Sequence, residues 1–370
     1  MADIEIKAEF EGLGESIGTV PIDVTFRNPK HIGLQAKLRL RGRVRVRDSD
    51  PANLDAILFE HSFMVASAQQ RIDVPVDRLP PYDYYGGKIH MFSEVEVIVD
   101  DALFFDSKTR STVERSDLDR GSDGLVSDPK DALNPSDSYN LSRNFAAISL
   151  GQKFALLGAF VTGVLAAIGN FFLSLFDSFF ATTPLLYSGN PDGWLVASGM
   201  GAAAGGVGFV LIYKRILRSY MKAQISSSVP LIQKGRDYRP SDFFTAHARV
   251  NLKKVTVRLV AANLESGQYW RGSGTDRRKV SFRNPVRGLV LFEKTTAVIP
   301  KGVGIESYFN DRFNFDGVFE ALYPNQMLSS THGMALQTEV QIMVEDLSDT
   351  ELVLPAEHYN PSDFFESARD

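Results

Sequence analysis

The residues able to carry chemistry in this chain are six histidines, a few acidic pairs, one glycine-rich run and one strand of alternating cations. His31, His61, His90, His247, His332 and His358 are scattered, and none has a second histidine or a carboxylate at the spacing of a helical metal site. Cysteine is absent, which excludes disulfides, thiolate zinc sites, iron–sulfur clusters and a cysteine nucleophile, and fits a reducing cytoplasm. Gly199-Met200-Gly201-Ala202-Ala203-Ala204 matches the spacing of a dinucleotide-binding loop. Such a loop needs a strand before it and an acidic ribose ligand after it, whereas this run sits in an uncharged stretch and leads into Lys214-Arg215. No phosphate-binding Gly-Lys-Ser/Thr loop occurs. Asp100-Asp101 and Glu345-Asp346 read as turn and solubility residues at matching strand ends. These residues predict no catalytic site, no cofactor, no metal and no small-molecule substrate; the chain reads as a non-enzyme.

The cations suggest binding instead. Lys37, Arg39, Arg41, Arg43, Arg45 and Arg47 occupy every second position, with Leu38, Leu40, Gly42, Val44 and Val46 between them. On a strand this alternation lines one face with six positive charges over roughly 33 Å. One reading is cross-strand ion pairing, with Glu94 and Glu96 as candidate partners. The other is a strip facing anionic lipid headgroups or an acidic partner. Nucleic acid fits less well, because the net charge is −5 and no aromatic residues interleave with the cations.

Two runs without a charge lie in the middle of the chain, residues 154–176 and 193–213. As helices they would reach roughly 35 and 32 Å, enough for a hydrocarbon core of about 30 Å. In the second, Ala197, Gly201 and Gly205 recur every fourth position, a face of small residues suited to close packing against the first span or a partner's helix. The connector, residues 177–192, holds no Lys or Arg, while Arg143, Lys153, Lys214, Arg215, Arg218 and Lys222 flank the pair. By the positive-inside rule both termini are expected in the cytoplasm and the connector outside. Trp194 and Tyr213 bracket the second span at interfacial positions. Residues 1–11 are charged and alternating, unlike a signal peptide, so the first run would serve as its own insertion signal.

On either side of this hairpin the pattern is that of β-structure. Ile4, Ile6, Ala8 and Phe10 alternate with polar residues, as do Val20, Ile22, Val24 and Phe26; Val255, Val257 and Leu259 resume the pattern later, followed by Val340, Ile342 and Val344. The halves also match in residues. Val24-Thr25-Phe26-Arg27-Asn28-Pro29 resembles Val280-Ser281-Phe282-Arg283-Asn284-Pro285, and the nine residues from Ser93 to Asp101 resemble those from Thr338 to Asp346. A third match, Leu58-Phe59-Glu60 with Leu291-Phe292-Glu293, is out of register with these two in linear spacing and reads as chance. The repeat predicts two antiparallel β-sandwich domains of one type.

Three features carry a resemblance to a known architecture: an opening strand with a turn at Gly14-Glu15 and a second strand; the strand at 34–46 with Gly42 in its middle; and Leu79-Pro80-Pro81 leading into the strand at 90–99. Together they resemble the arrestin-like fold, a tandem pair of β-sandwiches found in arrestins and retromer-type sorting proteins. The spacing around Gly14-Glu15 is one residue short of the familiar pattern, and those proteins have no membrane hairpin between their halves. The resemblance implies an adaptor or scaffold role.

A short motif recurs at three boundaries: Asn134-Pro135-Ser136-Asp137-Ser138-Tyr139, Arg239-Pro240-Ser241-Asp242-Phe243-Phe244 and Asn360-Pro361-Ser362-Asp363-Phe364-Phe365. It reads as a capped helical turn that tucks its aromatics onto a sandwich, or as a docking peptide offering Phe243, Phe244, Phe364 and Phe365 to a partner. The expected organisation is a first sandwich (1–106), a polar linker (107–147), a two-helix transmembrane hairpin (148–222), a linker with a short helix (223–248), a second sandwich (249–356) and a tail (357–370). The expected function is a membrane-anchored scaffold, an accessory subunit gripping other integral membrane subunits. The alternative is an arrestin-like adaptor that recruits soluble cargo to the cytoplasmic membrane face.

Overall fold

The computed structural model describes residues 3–8, 18–47, 50–78, 80–100, 107–113, 149–180, 192–345 and 350–366, with the single positions 118, 120 and 133. The protein is mainly β, interrupted by two long helices. The first half holds β1 (Ile4–Lys7), β2 (Thr19–Phe26), β3 (Gln35–Val46), β4 (Pro51–Ala52), β5 (Leu54–Met64), β6 (Gln69–Pro75), β7 (Tyr84–Tyr85), β8 (Ile89–Val99) and β9 (Ser107–Thr112). They form a three-stranded sheet, β1-β2-β6, and a five-stranded one, β5-β3-β8-β7, with β9 on β8. Period-two alternation turns Ile4, Ile6, Ile22 and Val24 of one sheet toward Leu38, Leu40, Val95 and Val97 of the other, and these residues share one buried core. The sheets are sandwich-like. The turn at Gly14-Glu15, Leu79 and the first copy of the boundary motif lie outside the described residues.

Two helices follow, α1 (Leu150–Phe180) and α2 (Asp192–Arg218). At 31 and 27 residues they span roughly 46 and 40 Å. Among the described residues one helix is long and apolar enough to cross a membrane, over Leu150–Gly169 of α1, while α2 has only the shorter apolar stretch Gly199–Tyr213. The second expected span, residues 193–213, lies wholly within α2.

The second half contains β10 (Met221–Ile225), β11 (Asp237–Tyr238), β12 (Phe244–Ala248), β13 (Leu252–Arg271), β14 (Arg278–Ile299), β15 (Phe313–Asn314), β16 (Gln326–Ser329), β17 (His332–Val344) and β18 (Thr350–Leu354), with short helices α3 (Asp316–Ala321) and α4 (Asp363–Glu366). Residues 223–248, expected as a linker, instead supply β10, β11 and β12, with one 3-10 turn at Pro240–Asp242. β10 pairs β12, and the main sheet runs β14-β13-β17-β16 with β18 on β17.

The main sheets of the two halves repeat strand by strand: β5-β3-β8-β9 corresponds to β14-β13-β17-β18. Leu40 sits between Phe59 and Val95, and Leu259 between Phe292 and Val340. Each β3-type strand slips register against its outer neighbour at the same point, after Leu40 and after Leu259. This corrects the reading of the matches. Leu58-Phe59-Glu60 and Leu291-Phe292-Glu293 are structural equivalents, displaced along the chain only by unequal loops. The Val24 and Val280 segments are not equivalent, since one lies in β2 of the small sheet and the other in β14 of the large one.

The halves are joined. β13 and β14 run on past their partners, and β4 from the first half pairs with Gln268 and Tyr269. Val44, Val46, Tyr82, Tyr84, Ile89 and Met91 belong to the same core as the second half. A Cβ at Gly42 would lie 2.8 Å from Leu328 Cδ1, so the missing side chain in mid-strand admits a leucine from the other half.

Candidate functional site

β3 is central in its sheet, which determines what surrounds its cations. Pairing with β5 and β8 sets Arg39 opposite Glu60 and Glu96, Arg41 opposite Glu94, and Arg43 opposite Asp55. Lys37 and Arg39 reach Glu60 at 3.2 and 2.7 Å, Arg41 reaches Asp55 at 3.0 Å and Glu96 at 3.4 Å, and Arg43 reaches Glu94 at 2.8 Å. Lys108 and Arg110 of β9 close on Glu96 at 2.6 and 2.8 Å. The Glu96 side chain is 0% exposed beneath them. Burial pushes its pKa up, but hydrogen bonds from Lys108 and Arg110 and the charge of Arg41 outweigh burial and hold it below the ordinary glutamate value. Four of the six cations therefore stand in an internal ladder.

The other two differ. Arg45 and Arg47 are exposed, and Arg45 lies over the Phe92 ring at 4.8 Å. His90 is beside them; its pKa is lowered by burial and by the charges of Arg47 and Arg45. Only this end of the strip is open to an anionic partner.

The four motif aromatics are turned inward. Phe243, Phe244, Phe364 and Phe365 are buried in the main core. Phe243 packs on Tyr238 and Phe315, and Phe364 on Phe319 and Tyr359. Docking to a partner is thereby corrected: the rings serve the chain's own core. Asp242 accepts the Arg239 N–H at 2.8 Å, and Asp363 accepts the Lys234 N–H at 2.8 Å.

Ala197, Gly201 and Gly205 all lie in α2. Gly205 meets the backbone of Gly163 in α1, so at this point the small-residue face packs within the chain. Around the pair, α1 exposes Phe154, Leu157, Phe160, Leu165, Phe172 and Phe176, each 55–64% accessible.

Sequence reasoning passed over the joint between the halves. Tyr82 donates to Pro324 O at 2.7 Å, Tyr84 to Glu265 Oε1 at 2.7 Å, and the Lys88 N–H to Glu265 Oε2 at 3.0 Å. Arg120 donates to Phe319 O and Phe364 O, both at 2.6 Å, and burial lowers its pKa to about 10. Arg287 donates to Arg120 O at 2.7 Å and Ala321 O at 3.0 Å. The one signal in the sequence was the run Tyr82-Asp83-Tyr84-Tyr85-Gly86-Gly87; a Cβ at Gly86 would collide with Glu265 and Tyr84. The hydrogen bonds from Tyr82, Tyr84, Arg120 and Arg287 cross from the first half to the second or tie its segments together, which makes the joint a structural lock. Among the described residues no three His, Asp or Glu side chains are arranged to hold a metal.

No protein-family model and no curated protein matches the chain. Its class is therefore defined by its own geometry: a mainly β chain with repeated sandwich-like sheets, carrying an apolar helix pair between the repeats.

Proposed function

We propose that the chain is a non-catalytic, membrane-anchored scaffold. In this reading α1 and α2 form a transmembrane hairpin, and the two halves are tandem, arrestin-like sandwiches on the cytoplasmic face that hold together subunits of a larger membrane complex. The observation that carries it is the row of exposed Phe and Leu along α1, a patch that water disfavours and a bilayer accommodates. The Gly163–Gly205 contact adds support, since close backbone approach is how helices associate where lipid is as apolar as the side chains. The basic flanks and the connector free of Lys and Arg favour cytoplasmic halves. The repeated strand order with a shared core favours two sandwiches acting as one body.

Alkaline carbonate extraction of membranes tests the anchor: release into the supernatant would end this reading. A glycosylation acceptor inserted at residues 181–191 tests orientation, with modification expected only for a connector on the outer side. Native mass measurement after mild-detergent extraction tests the scaffold, which requires a fixed large complex. A second reading, an adaptor recruiting soluble acidic cargo, is favoured by the open end of the strip at Arg45 and Arg47. A free monomer or dimer in the same measurement would favour it.

A further inference from the structure

The feet of the two helices are fastened to one end of the second half. Tyr220 accepts a hydrogen bond at its carbonyl from the Arg249 N–H at 2.8 Å, and its hydroxyl bonds Gln152 of α1. Val250 packs with Leu156, Tyr213 and Tyr220. The loop from β12 to β13 therefore lies against the helix bases. Two further segments reach the same end. Leu252 pairs Ile299, the Lys301 N–H bonds Asn251 Oδ1 at 2.9 Å, and the Gly302 N–H bonds Ala248 O at 2.7 Å. Lys222 pairs His247 at the start of β10.

This geometry gathers six exposed cations from segments far apart in the chain: Arg215, Lys222, Arg249, Lys253, Lys254 and Lys301. Among the described residues none of them has a carboxylate within ion-pair distance, in contrast to the cations of β3. Two carboxylates are near. Glu345 donates its backbone N–H to Lys254 O at 3.3 Å, and Glu306 is engaged in accepting the Ala246 N–H at 2.9 Å. Lys254 is also the one described non-glycine residue with a positive φ, +42°, at a break in the β13–β14 pairing where Lys253 faces Val298 and Val255 faces Thr296. Left-handed backbone is disfavoured for lysine.

We infer that this rim is a headgroup-binding surface: a ring of cations at the base of the hairpin that seats the second half on an anionic phospholipid leaflet. The inference rests on the membrane reading above and deepens it, since a hairpin alone would anchor the chain equally well in neutral lipid. Cations held within a Debye length of the surface, about 8 Å at physiological salt, attract anionic headgroups, and the loops around Arg249 and Lys301 lie at that end by construction of the fold.

The test uses the full chain reconstituted in nanodiscs of neutral phosphatidylcholine and of phosphatidylcholine with phosphatidylserine, read by amide hydrogen exchange. Exchange in residues 249–254 and 299–302 is expected to be slower in the anionic discs. The difference should vanish at about 1 M salt, where the Debye length is about 3 Å. It should also vanish in the variant Lys222→Gln, Arg249→Gln, Lys253→Gln, Lys301→Gln, whose changes are all at exposed positions, while the amides of α1 stay protected. Equal exchange of these loops in both discs, with α1 protected, would overturn the inference and leave the anchor standing. Unprotected α1 amides in both discs would overturn the anchor and the inference together.

Discussion

Gly205 of α2 lies against Gly163 of α1 so closely that a Cβ on either would strike the backbone of the other. The next residue of the same helix, Gly206, points elsewhere and has nothing within 4 Å of where its Cβ would stand. Gly205→Leu should therefore separate the helices and cost about 1–3 kcal/mol, the usual penalty of overpacking. Gly206→Leu should be neutral or slightly stabilising, because leucine is the better helix former. Thermal unfolding in mild detergent compares the two; equal midpoints would show that the helices do not rely on this contact.

Glu96 is the buried anion on which Arg41, Lys108 and Arg110 converge. Glu96→Ala removes the carboxylate that Lys108 and Arg110 bond and should destabilise by about 1–3 kcal/mol in chemical denaturation. Glu60 serves Lys37 and Arg39 at an exposed position, so Glu60→Ala should cost less than Glu96→Ala. The reverse order would mean that burial of Glu96 is not what organises the ladder.

The pH dependence follows from the same group. The folded-state pKa of Glu96 is depressed, so its stabilising contribution is complete above the ordinary glutamate value of about 4.3 and is lost as pH falls through the lowered folded value. Stability should decline on acidification below that range. Glu96→Gln should flatten the decline, and an unchanged slope in the variant would assign acid sensitivity to other carboxylates.

Phe364 is buried on Phe319 and Tyr359. Phe364→Ala should cost about 3–5 kcal/mol, measured by thermal or chemical unfolding, as expected for an aromatic lost from a core. A soluble, fully stable variant that loses only partner binding would restore the docking reading of the motif.

The cations of β3 should separate into two groups. Arg41→Gln and Arg43→Gln remove ladder partners and should lower stability. Arg45→Gln with Arg47→Gln should leave stability within about 0.5 kcal/mol, as is usual for exposed positions, and weaken binding to an acidic partner or anionic vesicle in a salt-dependent manner. Vesicle cosedimentation at low and high salt, beside a denaturation curve, distinguishes the groups.

What was legible in the sequence was periodic. Alternation marked β2, β3, β8, β13 and β17, because a strand with one buried face must repeat every second residue. Charge-free length marked the helix pair, and of the small residues spaced every fourth position Gly205 is the one that meets Gly163 of α1. Alternation alone could not say whether Lys37 to Arg43 faced partners or solvent. That depended on β5, β8 and β9 bringing Asp55, Glu60, Glu94 and Glu96 alongside. Linear spacing likewise misjudged Leu58-Phe59-Glu60 and Leu291-Phe292-Glu293, since loops of unequal length shift sequence offset without shifting hydrogen-bond register. The inward turn of Phe243 and Phe364, the lock around Arg120 and Glu265, and the cationic rim at the helix feet are all made by residues distant along the chain. Local pattern carries burial and period; only the folded chain decides which distant groups come within bonding reach, and so which charges are satisfied and which stay open.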